Sequence, residues 1–344
     1  MTHSVRLITF DEDIEVAEDE TILEIAMEEN IPYPYGCASG NCGVCKSRLV
    51  LGEVEMRFHS PMALTDEEKA RGLILVCRAE PRSDCAVAYL NYDDAVAHPL
   101  KRVAAEVVAI ERMTHDIAAV RLKLAEPMAF TAGQFASVAF PGFAARDYSF
   151  ATPPGDDDIV EFHVRRMGDG GVSAFIFDEL APSEAAAVHG PLGFAFLREK
   201  ETGPIFAVAG GSGLAPIRAI LQAAAQTGPA GRPMRLWFGA RTEADVYLED
   251  ELRALDDLDV EIVLSDADDA ATERRTGFVT DALKADLEAL GKDALDGARA
   301  YLAGPPPMVE AAEAIFRAAG LDAGRIHADA FYTEADKAER SGTA

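Results

Sequence analysis

Residues 36–49 read GCASGNCGVCKSRL, with Cys37, Cys42 and Cys45 in a loop that also carries Gly36, Gly40 and Gly43. The spacing is C-x4-C-x2-C, and Cys77, after 31 intervening residues, is the next cysteine able to complete a quartet. This matches the plant-type pattern for a [2Fe-2S] cluster. Two irons bridged by two sulfides need four thiolates. A tight loop wraps three of them round one side, and a separate element brings the fourth, here the end of LILVC at 73–77. The glycines let backbone amides approach the sulfurs. The competing reading is zinc, whose cysteines usually arrive as two separated C-x2–4-C knuckles; the sequence has no second knuckle. Cys85, in SDCAVAYL, reads as a small buried hydrophobe. Five cysteines without a secretory pattern argue against a disulfide framework.

The segments flanking the loop define a compact unit. VRLITF and IEVA read as a hairpin around the acidic turn Asp11-Glu12-Asp13. Thr21 and Glu24 make a T-x-x-E capping box opening a helix, and Thr65 with Glu68 opens a second, shorter one. KSRLVL and LILVC read as strands. Together these give a β-grasp unit over residues 1–95, followed by a linker around YDDAVAHPLK.

Between 99 and 200 the pattern becomes short alternating runs separated by turns, interrupted by one helical segment, VSAFIFDEL, which suggests an antiparallel β-barrel. Within it, Arg146-Asp147-Tyr148-Ser149 sits at the end of a strand. A guanidinium clamps phosphate, a tyrosine ring lies against a flat heterocycle, and a serine hydroxyl binds a ring edge. Arg165, Gly171 and Ser173 follow just before the helical segment, where loop amides suit a pyrophosphate. The plainer reading makes Arg165 and Arg166 a solvated strand face and Tyr148 core. His163 alternates with apolar neighbours and reads as packed against the barrel with no catalytic task.

From 201 to 332 strands alternate with helices, the signature of a doubly wound parallel sheet, and 333–344 reads as a tail. The strand IFAVAG runs into Gly210-Gly211-Ser212-Gly213 and then a helix, a turn that offers bare amides to a pyrophosphate. The strand AYLA runs into Gly304-Pro305-Pro306-Pro307 and another helix. Both turns fall at strand carboxyl ends, where such sheets bind ligands. Arg241, after RLWFGA, reads either as a contact to an adenosine ribose or phosphate or as a surface salt bridge.

Composition bounds the rest. The chain has 344 residues, enough for two or three domains, and a formal net charge of −27. That charge argues against nucleic acid and anionic membrane as partners; it permits a partner with a basic docking face or a general solubility role. No apolar run approaches the roughly 20 residues a membrane helix needs, and no signal pattern opens the chain, so a cytoplasmic monomer is expected.

With these residues in hand the sequence resembles the iron-sulfur flavoprotein reductases of bacterial oxygenase systems. RDYS, GGSGLAPI, FGAR, AGPPPMVEA and IHADAFY all have counterparts there, in the order ferredoxin, flavin barrel, nicotinamide domain. The naphthalene dioxygenase branch is the nearer likeness, through THDIAAVRLKLAEPMAFTAGQ, GPLGFAFL and IHADAFY, and the phenol hydroxylase branch is weaker. The resemblance implies that Arg146, Tyr148 and Ser149, with Arg165, Gly171 and Ser173, bind FAD. It implies that Gly210, Gly211, Gly213, Arg241, Gly304 and Pro305 shape a nicotinamide nucleotide site for NADH or NADPH. Phe331 matches a C-terminal aromatic near the flavin, and Ala303 stands where many relatives carry cysteine. The implied role is a relay from NADH through FAD and the cluster to a Rieske-type ferredoxin or a terminal oxygenase. That acceptor serves an aromatic-ring-hydroxylating dioxygenase or, alternatively, a di-iron monooxygenase. A zinc-stabilised adaptor without catalysis is the remote alternative. Plant-type clusters near about −400 mV and Rieske centres at about −150 mV or above make the last transfer downhill.

Overall fold

The computed structural model describes the chain except for residues 30, 32, 36, 37, 41, 42, 62, 91–97, 156, 169, 268–271 and 333–344. Gly36, Cys37, Cys42, most of the linker and the tail therefore lie outside the described residues. The chain divides into two compact units: one holds the N-terminal sheet with Leu192–Phe194 and Tyr332, the other holds the two remaining sheets up to Phe331.

In the first unit, β1 (Thr2–Leu7), β2 (Glu12–Ala17), α1 (Ile22–Glu28), β3 (Lys46–Leu51), β4 (Val54–Met56), α2 (Asp66–Ala70), β5 (Leu73–Leu75), β6 (Ala79–Pro81) and β7 (Cys85–Tyr89) follow in order. Five strands form a sheet in the order β2-β1-β7-β3-β5, and β4 pairs with β6 apart from it. Both capping boxes form. Thr21 Oγ1 accepts from Glu24 N at 3.3 Å while Glu24 accepts from Thr21 N at 2.7 Å, and Thr65 with Glu68 repeats the arrangement. Ile22, Leu23, Ile25 and Ala26 pack from α1 into a core with Val5, Leu7, Val16 and Val87. Two details differ from the sequence reading. The first strand stops at Leu7, because Ile8–Phe10 tighten into a 3-10 turn that ends on Asp11 in the left-handed region. The strand of LILVC stops at Leu75, and Cys77 sits in the turn beyond it, held where Arg78 N donates to Leu75 O at 2.8 Å.

The second unit begins with β8 (Lys101–Arg112), β9 (Ile117–Leu124), β10 (Phe135–Ala139), β11 (Arg146–Ser149), β12 (Ile159–Arg165), α3 (Gly171–Asp178) and β13 (Ala185–Leu192). The strand order is β11-β10-β13-β8-β9-β12, and an antiparallel bridge from Phe150 to Phe162 brings the two edges together, closing a barrel. One-sided burial along β8, where Val103, Ala105 and Val107 point inward, is the alternation a barrel wall demands. Arg146-Asp147-Tyr148-Ser149 forms β11, with Tyr148 opposite Ala136 and Ser149 opposite Phe135.

It continues with β14 (Ile205–Gly210), α4 (Leu214–Thr227), β15 (Met234–Ala240), α5 (Glu249–Arg253), β16 (Leu258–Leu264), β17 (Arg275–Thr276), α6 (Val279–Leu290), β18 (Arg299–Gly304), α7 (Pro306–Ala319) and β19 (Ile326–Ala330). All six strands are parallel, in the order β17-β16-β15-β14-β18-β19. β14 and β18 are buried throughout, as central strands covered on both faces must be. The chain winds one way from β14 through β15 to β16 and the other way through β18 to β19. The switch point between β14 and β18 is where such sheets open a ligand crevice.

Candidate functional site

Cys45 and Cys77 are both buried, neither is in a disulfide, and their Sγ atoms lie 3.2 Å apart. Cys45 comes from the loop before β3 and Cys77 from the turn after β5, two strands that pair. Ser60 N donates to Gly40 O at 3.0 Å and fixes the described part of that loop. Gly40 has φ +82°, and a Cβ there would lie 2.8 Å from Arg78 Cγ and 3.0 Å from His59 Cβ, so no side chain fits. Two converging buried soft donors beside a loop too tight for a methyl group suit a small sulfur-ligated cluster. Cys85 stands apart, buried between β7 and the Glu53 carbonyl, and burial pushes its thiol up.

On the barrel, Arg146 is exposed and its Nη1 donates to Ala145 O at 2.9 Å. Tyr148, two residues on, is half-buried, and burial pushes its hydroxyl up to about 12. Alternation turns Ser149 the other way, where it is 7% exposed and donates to Asp329 Oδ2 at 3.1 Å. Arg165, at the end of β12, donates through Nε to Asp116 Oδ2 at 2.9 Å. Ser173 Oγ accepts from Met167 N at 3.0 Å and holds the loop that enters α3. A Cβ on Gly168, Gly170 or Gly171 would meet nothing within 4 Å, so the space before this helix start is open, as a pyrophosphate requires.

The two glycine turns, after β14 and after β18, interlock at close range. A Cβ on Gly213 would lie 2.2 Å from Ala303 O, one on Gly304 2.9 Å from Gly210 O, and one on Gly210 3.0 Å from Pro305 Cδ. Gly210, Gly213 and Gly304 are thus demanded by close approach at the switch point. Gly211 has φ +54°, and Arg165 Nη1 approaches within 3.3 Å of where its Cβ would be. Ala303 is 1% exposed and belongs to the core beneath the turns. Register sets it opposite Asp329 on β19, and Phe331 N donates to Gly304 O at 2.9 Å. Arg241 pairs with Asp245 at 2.7 Å and with Asp116 at 3.0 Å, so the salt-bridge alternative is realised.

Sequence reasoning singled out neither Asp116, which Arg165 and Arg241 share, nor Asp329. A signal existed for Asp329, because an acid one residue from the carboxyl end of the last parallel strand lies where ligands bind.

Family patterns match the chain in three stretches: a 2Fe-2S iron-sulfur cluster binding domain over 8–82, an oxidoreductase FAD-binding domain over 104–196 and an oxidoreductase NAD-binding domain over 207–314. The chain is 39% identical over 316 residues to the ferredoxin–NAD(P)+ reductase component of the naphthalene 1,2-dioxygenase/salicylate 5-hydroxylase systems of Ralstonia sp., covering 91% of this chain and 93% of that one. It belongs to the iron-sulfur flavoprotein reductases of bacterial oxygenase systems. This reductase is also 35% identical to the phenol 2-monooxygenase reductase component of Pseudomonas sp. strain CF600, covering 99% of this chain and 98% of that one. Among solved structures, the Amycolatopsis cytochrome P450 reductase matches at TM-score 0.74 and 34% identity over 96% of this chain and 99% of that one. The cofactors of the reductase are a [2Fe-2S] cluster, FAD and a nicotinamide nucleotide. None of its described helices is long and apolar enough to cross a membrane.

Proposed function

We propose that this reductase is the electron-input component of a multicomponent aromatic-ring-hydroxylating dioxygenase, passing electrons from NADH to a Rieske-type ferredoxin or to the terminal oxygenase. The observation that carries the electron path is the Ser149–Asp329 hydrogen bond, which joins the RDYS strand to the carboxyl end of the nucleotide-binding sheet. Bound nicotinamide supplies a hydride, and FAD with the cluster turns that electron pair into single-electron transfers. Likeness to the naphthalene dioxygenase reductase favours the dioxygenase customer; likeness to the phenol 2-monooxygenase reductase supports a monooxygenase customer as the second reading.

In this reading Cys37, Cys42, Cys45 and Cys77 ligate the cluster. Arg146, Tyr148, Ser149, Arg165, Gly171 and Ser173 hold FAD, with Phe331 beside its ring. Gly210, Gly211, Gly213, Gly304 and Pro305 shape the nicotinamide nucleotide site. The modules run over 1–95, 99–200 and 201–332. Arg241 is already neutralised by two carboxylates, which supports NADH over a nucleotide carrying a 2′-phosphate.

Dithionite-reduced, iron-replete protein is expected to give a rhombic S = 1/2 EPR signal, and its visible spectrum to show flavin. EPR silence from such material, or a colourless preparation with stoichiometric zinc, refutes the reading.

A further inference from the structure

A buried polar chain runs from the barrel to the first glycine turn. Glu161, on β12, is 6% exposed and accepts from Arg121 Nε at 2.6 Å and from Arg218 Nη1, on α4, at 2.7 Å. His163, two residues on, has its Nε2 3.2 Å from Glu161 Oε1 and its Nδ1 3.2 Å from the hydroxyl of Tyr247. That hydroxyl in turn lies 3.4 Å from the carbonyl oxygen of Gly211.

Proton bookkeeping orients the chain. Glu161 is ionised and only accepts, so His163 Nε2 carries a hydrogen. Burial pushes the imidazole down, so it is neutral at pH 7 and Nδ1 is an acceptor. Tyr247, whose hydroxyl burial pushes well above its usual range, keeps its proton. The single hydroxyl proton is therefore shared as a three-centre bond between His163 Nδ1 at 3.2 Å and Gly211 O at 3.4 Å. In a trans peptide the carbonyl and the following N–H point in opposite directions. Gly211 O also accepts from Leu214 N–H within the 3-10 turn Gly211–Gly213, and the Tyr247 hydroxyl adds a second, side-chain bond that holds this carbonyl inward and so turns the Ser212 N–H outward, as an amide must point to meet a nucleotide phosphate.

We propose that Tyr247 is a positioning residue for the pyridine nucleotide: its hydroxyl holds the Gly211–Ser212 peptide in the phosphate-binding orientation, and His163 keeps that hydroxyl in place from the barrel. The inference rests on reading 210–213 as the dinucleotide turn. Tyr247 touches no reacting atom in this scheme. It packs edge-on against Phe238 and His163, with ring centroids 5.9 Å and 5.5 Å away, so Tyr247→Phe removes the hydroxyl and keeps the packing.

The test is calorimetric titration of the flavin-loaded protein with NAD+, alongside flavin content and the thermal unfolding midpoint. Tyr247→Phe is expected to weaken NAD+ about fivefold, the worth of one neutral hydrogen bond, with flavin content unchanged and the midpoint lowered by only a few degrees as His163 Nδ1 loses its donor. His163→Gln, which retains a donor for Glu161 and an acceptor for the hydroxyl, is expected to bind NAD+ like the wild type. Wild-type affinity in Tyr247→Phe overturns the proposal. So does a loss of NAD+ accompanied by an equal loss of flavin, since that assigns Tyr247 to packing alone. Failure of the wild-type protein itself to bind NAD+ instead removes the reading of the turn.

Discussion

Ser149 and Asp329 are 180 residues apart in sequence, yet the serine hydroxyl donates to the aspartate carboxylate at 3.1 Å. The contact ties β11 of the barrel to β19 of the parallel sheet, and Asp329 sits opposite Ala303 where β18 runs into its glycine turn. With its proton given to Asp329, the Ser149 oxygen keeps lone pairs for a donor on the flavin. Asp329→Asn is expected to slow flavin reduction by NADH about tenfold, the loss of one charge-assisted hydrogen bond, while FAD stays bound. Stopped-flow bleaching of the flavin band reads this. An unchanged rate removes Asp329 from the hydride geometry.

Cys77 is reached through a turn, so its thiol can be changed without breaking a strand. Cys77→Ser is expected to abolish NADH-dependent cytochrome c reduction and to leave ferricyanide reduction through the flavin within about twofold. If both activities survive, the order of the relay is wrong.

Arg146 is exposed, and its Nη1 donates to its neighbour's carbonyl at 2.9 Å, a contact it can exchange for a phosphate. Arg146→Ala is expected to weaken FAD at least tenfold, read as flavin lost on gel filtration. Tight FAD in the variant would remove Arg146 from the flavin site.

Arg241 owes its present engagement to Asp116 and Asp245. Removing one carboxylate, as in Asp116→Asn, releases part of that charge toward a 2′-phosphate. The ratio of kcat/KM for NADPH to that for NADH is expected to rise severalfold. A ratio that stays put shows that Arg241 does not face the adenosine ribose.

Glu161 gives a pH prediction. Burial raises its carboxyl, but hydrogen bonds from His163 and Arg121 and the charge of Arg218 outweigh this and hold it at about 2, below its ordinary 4.5. A depressed carboxylate stabilises the fold fully above the unfolded value, and that stability is lost as pH falls through the folded value. The unfolding midpoint is expected to drop between pH 4.5 and about 2, and Glu161→Gln to flatten that slope. Parallel slopes for variant and wild type would show that the charge contributes nothing.

Much of this was legible from local pattern. The cysteine spacing, both capping boxes and the alternation of strands with helices are short-range codes; both capping boxes formed where their code stood, and strands alternate with helices through the parallel sheet. The two glycine turns were legible as strand–glycine–helix junctions. What was hidden depends on distant partners. Nothing in THDIAAV marks Asp116 as the common counter-ion of two arginines from different sheets. Nothing near His163 says that its ring closes a chain ending at Gly211. The sequence reading of His163 as packed against the barrel was accurate as far as alternation reaches. IHADAFY was noticed as a whole, but its aspartate acquires meaning only when β19 is laid beside β18.

The backbone-to-backbone fit of Gly210 and Gly213 against Ala303 and Gly304 has a practical corollary for anyone recombining such reductases. The stretches around 205–214 and 299–308 behave as two halves of one mould. A chimera that takes one from a donor and leaves the other behind must reproduce contacts without room for a single methyl group. Crossover points that carry both stretches together are the ones from which folded hybrids should emerge.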